Sequence, residues 1–161
     1  MRIGVFSDSH GDISPARQFL PLLGQLDALF HLGDHAADAP KLGKLFDCPV
    51  YAVRGNCDFG AADPLELTVN LEGKRFLLLH GHQYYARESL LYRAEEVGAD
   101  MRLYGHSHVP ELSADGARLI LNPGSLSRPR WGSQQSCALI TIDEGQLKVK
   151  FINQSSLSRR Q

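Results

Sequence analysis

Short apolar runs, each stopped by a turn residue and followed at once by a histidine, an acid or an asparagine, set the pattern of this chain. Arg2 to Ser7 (RIGVFS), Ala28 to Leu32 (ALFHL), Val50 to Val53 (VYAV), Arg75 to Leu79 (RFLLL) and Met101 to Tyr104 (MRLY) are four to six residues long and bounded by turn formers, which reads as strands. Between the first three lie a helix over 14–24, with Leu20, Leu22, Leu23 and Leu26 toward the core, and a second, shorter helix. That βαβαβ alternation implies parallel strands joined by right-handed crossovers. After about residue 65 the texture changes. Glu72-Gly73, Asp115-Gly116 and Glu144-Gly145 each separate two strand-like runs, predicting three hairpins, with a helix over 87–98 among them. Parallel pairing followed by antiparallel pairing predicts an α/β chain with two mixed sheets packed face to face and helices outside. Residues 54–65 (RGNCDFGAADPL) have no periodicity and read as a loop at the rim of a site. One domain over 1–154 accounts for the pattern, leaving 155–161 as a polar, unstructured tail.

The chemistry sits where the strands stop. Asp8-Ser9-His10, Gly33-Asp34, Gly55-Asn56, His80 and Gly105-His106-Ser107-His108 each follow a predicted strand, and ligands of α/β sheets bind where strands deliver their carboxyl ends. Asp8, Asp34 and Asn56 offer oxygens; His10, His80, His106 and His108 offer nitrogens. Seven such donors are enough for two cations. The mixture favours Mn²⁺, Fe or Zn²⁺ over Ca²⁺, which prefers oxygen throughout, and over a structural Zn²⁺ held by cysteines. A carboxylate such as Asp34 can bridge two ions at roughly 3.5–4 Å, the spacing of two-metal hydrolytic sites.

This ordered set of motifs resembles the calcineurin-like metallophosphoesterases. Gly55-Asn56-Cys57-Asp58, with Asn122-Pro123-Gly124-Ser125 downstream, is similar to the small single-domain bacterial and archaeal phosphodiesterase branch. The resemblance spans residues 1 to about 150. It implies an αββα sandwich, and it implies that Asp8, His10, Asp34 and His108 bind one divalent ion while Asp34, Asn56, His80 and His106 bind the other. Manganese is the expected metal, with nickel, iron, cobalt and zinc as alternatives. The implied reaction is hydrolysis of a small phosphodiester by direct attack of metal-activated hydroxide, with Asn56 and His82 assisting. The protein Ser/Thr phosphatases carry an arginine after the second motif, but here Gly33-Asp34 continues as His35-Ala36-Ala37-Asp38, which disfavours a phosphoprotein substrate. Many relatives place a histidine after the Asn of the third motif; Cys57 stands there in this chain. A different class of function shares the fold, a non-catalytic protein-binding scaffold like the retromer subunit. Loss of ligand histidines would mark it, and all of them are present.

Composition narrows the picture further. At 161 residues, 43% of them hydrophobic, the chain can bury the core of one domain, and a net charge of −1 argues against a nucleic-acid surface driven by bulk electrostatics. Cys48, Cys57 and Cys137 show no Cys-x-x-Cys spacing, so neither a disulfide framework nor a cysteine zinc site is expected. With no apolar block of signal-peptide or membrane-spanning length, a reducing cytoplasm is the expected setting and no membrane partner is expected.

The remaining polar and aromatic residues keep two readings each. His31 reads as a core histidine; His35 either orients Asp34 or faces solvent. Gly81 lets the chain turn after His80, so His82 either reaches the cleft, for phosphate contact or proton transfer, or lies exposed. Asp58 accepts from a site group or merely ends its turn. Arg128 and Arg130 suit bidentate phosphate contact or simple solvation, and Cys57 lies where the substrate would pass. Phe59, Tyr84, Tyr85 and Trp131 fit a wall for a substrate's organic group, a homodimer interface or the core.

Overall fold

The computed structural model describes residues 1–84 and 87–158. Its elements run β1 (Arg2–Phe6), α1 (Ser14–Leu23), β2 (Ala28–His31), a 3-10 turn (Ala36–Asp38), α2 (Ala39–Phe46), β3 (Val50–Ala52), β4 (Glu66–Leu71) and β5 (Lys74–Leu79). There follow α3 (Arg87–Glu96), β6 (Met101–Leu103), β7 (Pro110–Asp115), β8 (Arg118–Pro123), β9 (Ser136–Asp143), β10 (Gln146–Asn153) and α4 (Gln154–Ser158). One five-stranded sheet has the order β10-β9-β1-β2-β3 and the other β4-β5-β6-β8-β7. Within each, three strands are parallel, β1-β2-β3 and β5-β6-β8. The hairpins β4-β5, β7-β8 and β9-β10 are antiparallel, as is the pair β1-β9.

Strand alternation sorts the apolar residues into layers. Ile3 and Val5 of β1, Phe30 of β2, Phe76 and Leu78 of β5, Leu121 of β8 and Ile140 of β9 form the core between the sheets. Their neighbours Phe6, Leu29, Cys137 and Leu139 face the other way, against α1 and α2. Leu77 and Leu79 likewise leave the central core for a smaller cluster with Ala94 of α3. Successive side chains of a strand point to opposite faces, so both sheets are buried on two sides, the mark of sheets covered by helices.

All five strands expected from the apolar runs are present, and two hairpins turn at Glu72-Gly73 and Glu144-Gly145. Both residues of each turn have positive φ, which matches the right-handed twist of a two-residue hairpin. The third turns at Gly116-Ala117, one residue later than expected. Two readings need correction. The core face of α1 is Ala16, Phe19 and Leu23, at i, i+3 and i+7, and Leu26 just beyond the helix is buried in the same core as expected, whereas Leu20 and Leu22 are only half-buried at its edge. Residues 154–158 are helical rather than an unstructured tail: the side chain of Ser156 bonds Asn153 Oδ1 at 3.0 Å and Leu157 packs on the outer core. Residues 159–161 and Tyr85 lie outside the described residues. Among the described residues no helix is long and apolar enough to cross a membrane.

Candidate metal centre

Six parallel strands point their carboxyl ends to one edge of the sandwich, and the loops that leave them are stitched together by backbone bonds. Asp8 N–H donates to Gly33 O at 3.0 Å, His10 N–H to Asp34 O at 3.3 Å, Leu126 N–H to Ser7 O at 3.0 Å and Gly105 N–H to His80 O at 3.0 Å. The glycines of the motifs make this possible. A Cβ on Gly55 would lie 2.2 Å from Asp34 Oδ1 and 2.5 Å from Asp34 N, and one on Gly105 would lie 2.0 Å from Ser7 Oγ. Each glycine thus lets its own loop approach a ligand of the neighbouring strand.

Asp8, His10, Asp34 and His108 offer one ligand atom apiece, all within 4.8 Å of one another. His108 Nε2 lies 3.2 Å from Asp8 Oδ1 and 3.4 Å from His10 Nε2, and His10 Nε2 lies 3.8 Å from Asp34 Oδ2. On the other side of Asp34, Oδ1 lies 3.3 Å from His80 Nε2, which is itself 3.1 Å from Asn56 Oδ1. The His106 ring stands 5.3 Å from that of His80, centre to centre. The structure therefore gathers all seven candidate ligands around one cleft.

The donor set fits divalent cations on two observations. Asp8 Oδ1 is buried without a hydrogen-bond partner among the described residues, an arrangement that costs free energy unless a cation completes it. Two imidazoles are also held with Nε2 facing the carboxylates. Nδ1 of His80 bonds Leu32 O at 2.7 Å and Nδ1 of His108 bonds Arg128 O at 2.5 Å, so each ring donates there and turns its lone pair inward. Burial disfavours the imidazolium of both rings, but the carboxylates of Asp34 and Asp8 for His80, and of Asp8 for His108, outweigh it and raise both pKa values. Burial acts to raise the Asp34 carboxyl; His80 and the Cys57 N–H outweigh it and hold that group far below the usual carboxylate range.

Backbone conformation singles out the same residues. Asp8, His10, Asp34, His106 and His108 all have φ between 44° and 66°. Left-handed backbone costs a non-glycine residue roughly 1–2 kcal/mol, least for Asp and Asn. Such residues persist where surrounding contacts hold them, and they cluster at functional sites.

The supporting residues were harder to foresee. His31 is fully buried and bonded at both nitrogens: Gly33 N–H donates to Nδ1 at 3.3 Å, which leaves Nε2 to donate to Ser9 Oγ at 3.1 Å. Ser9 passes its hydroxyl hydrogen to Asp38 Oδ2 at 2.8 Å, and Lys41 Nζ meets Asp38 Oδ1 at 2.7 Å. His31 is thus the core histidine expected. His35 pairs with Asp38 at 3.1 Å rather than orienting Asp34. Asp58 does more than end its turn: Oδ1 accepts the N–H groups of His35 and Ala36, and Oδ2 that of Gly55, clamping the loops after β2 and β3 together. Asn122 Nδ2 donates to Gly105 O at 2.8 Å and Ser125 Oγ to Asp8 O at 2.8 Å, so the Asn-Pro-Gly-Ser turn fixes two ligand loops.

The other candidates divide. His82 is half-buried, its Nδ1 has no hydrogen-bond partner among the described residues, and its ring lies 5.4 Å from His80 and 6.4 Å from His106, which places it at the cleft. Arg128 and Arg130 are exposed on the rim, close enough for Arg128 to act on His10 and Arg130 on His106 and His108. Cys57 is exposed; its N–H grips Asp34 Oδ1 at 2.9 Å, and burial together with Asp34 and Asp58 pushes its thiol up to about 11. Tyr84 is not a free wall residue, because its hydroxyl bonds Glu66, which also pairs with Arg93 at 2.9 Å. Phe59 and Trp131 are 94% and 91% exposed, which excludes the core reading for both.

Residues 1–145 match the model of the Calcineurin-like phosphoesterase superfamily domain. The chain belongs to that superfamily. It is 33% identical to the Bacillus subtilis (strain 168) protein named "Probable metallophosphoesterase YsnB", over 96% of this chain and 92% of that one. To phosphodiesterase YfcE of Escherichia coli (strain K12) it is 30% identical, over 98% and 95% of the two chains. Among solved structures, a predicted phosphoesterase from Streptococcus pneumoniae TIGR4 superposes with a TM-score of 0.81 at 36% identity, covering 96% of this chain and 90% of that one. The protein is accordingly a metallophosphoesterase-family hydrolase on the αββα sandwich, with a cluster suited to metal binding at the converging strand ends.

Proposed function

We propose that this phosphoesterase cleaves phosphodiesters with the help of two divalent cations, which Asp34 would hold in common. The observation that carries the reading is the position of that carboxylate, with Oδ2 turned to His10 and Oδ1 to His80. Asp8, His10, Asp34 and His108 would hold one ion; Asp34, Asn56, His80 and His106 would hold the other. Manganese suits this mixture of oxygen and imidazole donors, with nickel, iron, cobalt and zinc as alternatives. Such ions supply Lewis acidity and an activated water at neutral pH.

The chain's own residues do the rest. Asp8 and Asp34 bring negative charge into a buried cleft, and Ser7 Oγ–H and His106 N–H, at 2.6 and 3.2 Å, hold Asp8 Oδ2 so that Oδ1 is left to ligate. Asn56 offers its amide, and Arg128 and Arg130 their guanidinium groups, to the phosphoryl oxygens as charge builds on them. His82 is the candidate proton carrier at the cleft edge. No side chain serves as nucleophile in this reading. Ser9 is buried and committed to Asp38, so it cannot reach substrate. The name of the E. coli relative supports a diester substrate, and the free state of Cys48, Cys57 and Cys137 suits a reducing cytoplasm.

Direct attack by water predicts that hydrolysis in ¹⁸O-enriched water labels the phosphorus-containing product in one step, with inversion at a chiral phosphorus centre. Retention, or a trapped phosphoenzyme, would overturn the reading and turn attention to Cys57.

Cys57 also locates the leaving-group step. With its thiol pushed up to about 11, Cys57 is a poorer proton donor at neutral pH than the imidazole many relatives carry there, with its reference pKa near 6.5. Aryl oxides depart without a proton and alkyl oxides do not. Cys57→Ala is therefore expected to change kcat/KM on aryl diesters by less than about threefold, while Cys57→His favours alkyl esters over aryl ones by up to about a hundredfold, the lower end of general-acid effects. Loss of aryl-diester turnover in Cys57→Ala, with metal content intact, would make the thiol a participant.

A further inference from the structure

Two aromatic side chains, Phe59 and Trp131, stand almost wholly in solvent on the two loops that frame the cleft. Trp131 is the more constrained. The turn that carries it is closed by Ser133, whose N–H and Oγ–H both donate to Arg130 O, at 3.0 and 2.6 Å. It is also tied to the candidate ligand His108, whose Nδ1–H donates to the Arg128 carbonyl at 2.5 Å. Trp131 follows Arg128 by three residues, which span at most about 11 Å, so the root of the indole lies within that reach of the carbonyl that His108 holds. Trp131 itself has φ 54°, a left-handed conformation that is a genuine outlier for a bulky residue. A strained turn thus presents an exposed indole on the same loop as Arg128 and Arg130, whose charges act on the cleft histidines His10, His106 and His108.

We infer that Trp131 is a specificity determinant, a stacking platform for an aromatic group on the phosphoester, with Arg128 and Arg130 meeting the phosphoryl oxygens beside it. The inference rests on the phosphoester reading above and adds the substrate class: esters that carry a planar aromatic group. Flat rings gain roughly 0.5–1.5 kcal/mol from offset or edge-on contact with an indole, a two- to tenfold preference over a small alkyl group. Because the turn is already fixed, little ordering entropy is lost on contact.

Trp131 is the sole tryptophan in the chain, so its own emission reports the event. With manganese-loaded protein, phenylphosphonate is expected to quench and blue-shift that emission and methylphosphonate to leave it largely unmoved. Calorimetry should give phenylphosphonate the lower Kd, and Trp131→Gly, which removes the indole and accepts the left-handed backbone, should narrow the ratio of the two Kd values two- to tenfold. Silent emission at saturating phenylphosphonate, or an unchanged ratio in the variant, overturns the inference while the phosphoester reading stands. If neither phosphonate binds, the phosphoester reading falls and this inference falls with it. Emission that shifts blue with protein concentration in the absence of ligand assigns the indole to self-association and overturns it as well.

Discussion

Asp34→Asn is expected to lower phosphoester turnover by roughly a hundredfold to several thousandfold and to empty both proposed cation sites together. Losing the stabilisation that bound cations give to transition-state charge costs several kcal/mol, and each 1.36 kcal/mol is a factor of ten in rate. Asp34 is unusual in that a single carboxylate faces nitrogen donors on both sides, at 3.8 and 3.3 Å, so one substitution withdraws charge from two places. Asparagine tolerates the φ of 55° at this position, which separates loss of charge from loss of backbone shape. Elemental analysis beside activity decides the matter. Full activity in a metal-free Asp34→Asn protein would refute the two-cation reading, and loss of only one equivalent would show that Asp34 serves a single ion.

The unfolding free energy is expected to fall by about 3 kcal/mol between pH 7 and pH 4 through His31 alone. Burial lowers the pKa of this residue to about 4, against 6.5 in an unfolded chain. Below pH 6.5 the unfolded state takes up a proton that the folded state refuses, so stability is fully present above 6.5 and is lost progressively until the folded pKa is reached, near 4. The sign is that of a histidine stabilised as the neutral base, the form required to accept from Gly33 and donate to Ser9. Urea unfolding of metal-free protein at several pH values measures the slope, and His31→Gln, which keeps a donor toward Ser9, should flatten it between pH 6.5 and 4.5. An equal slope in wild type and variant would show that His31 titrates normally.

How much of this was legible in the sequence follows from the range of the forces involved. The strands and hairpins were readable because a period of two and a Glu-Gly turn are local signals, complete within a dozen residues. The residues that meet at the cleft were readable for the same reason: each stands just after an apolar run. The face of α1 was misread because Leu20 and Leu22 are as apolar as Leu23, and only packing shows that Ala16 and Phe19 occupy the inner stripe. The clamps were invisible because they join distant positions. Ser125 reaches Asp8 across 117 residues and Asn122 reaches Gly105 from the next strand of the sheet. Nothing in the spacing of a serine or an asparagine announces such a partner. For Asp58 the sequence leaves two readings, acceptor for a site group or end of a turn, and the choice between them depends on N–H groups in a loop 22 and 23 residues away.

The left-handed backbone shared by Asp8, His10, Asp34, His106 and His108 has a consequence for how mutagenesis at this cleft is interpreted. At His10, His106 and His108 alanine carries the same backbone strain of roughly 1–2 kcal/mol as the histidine it replaces, so alanine there removes the imidazole alone. At Asp8 and Asp34, where the native residue tolerates the conformation better, asparagine removes the charge and keeps that tolerance. Glycine at any of the five releases the strain, and the gap between glycine and alanine measures how tightly the loop is sprung.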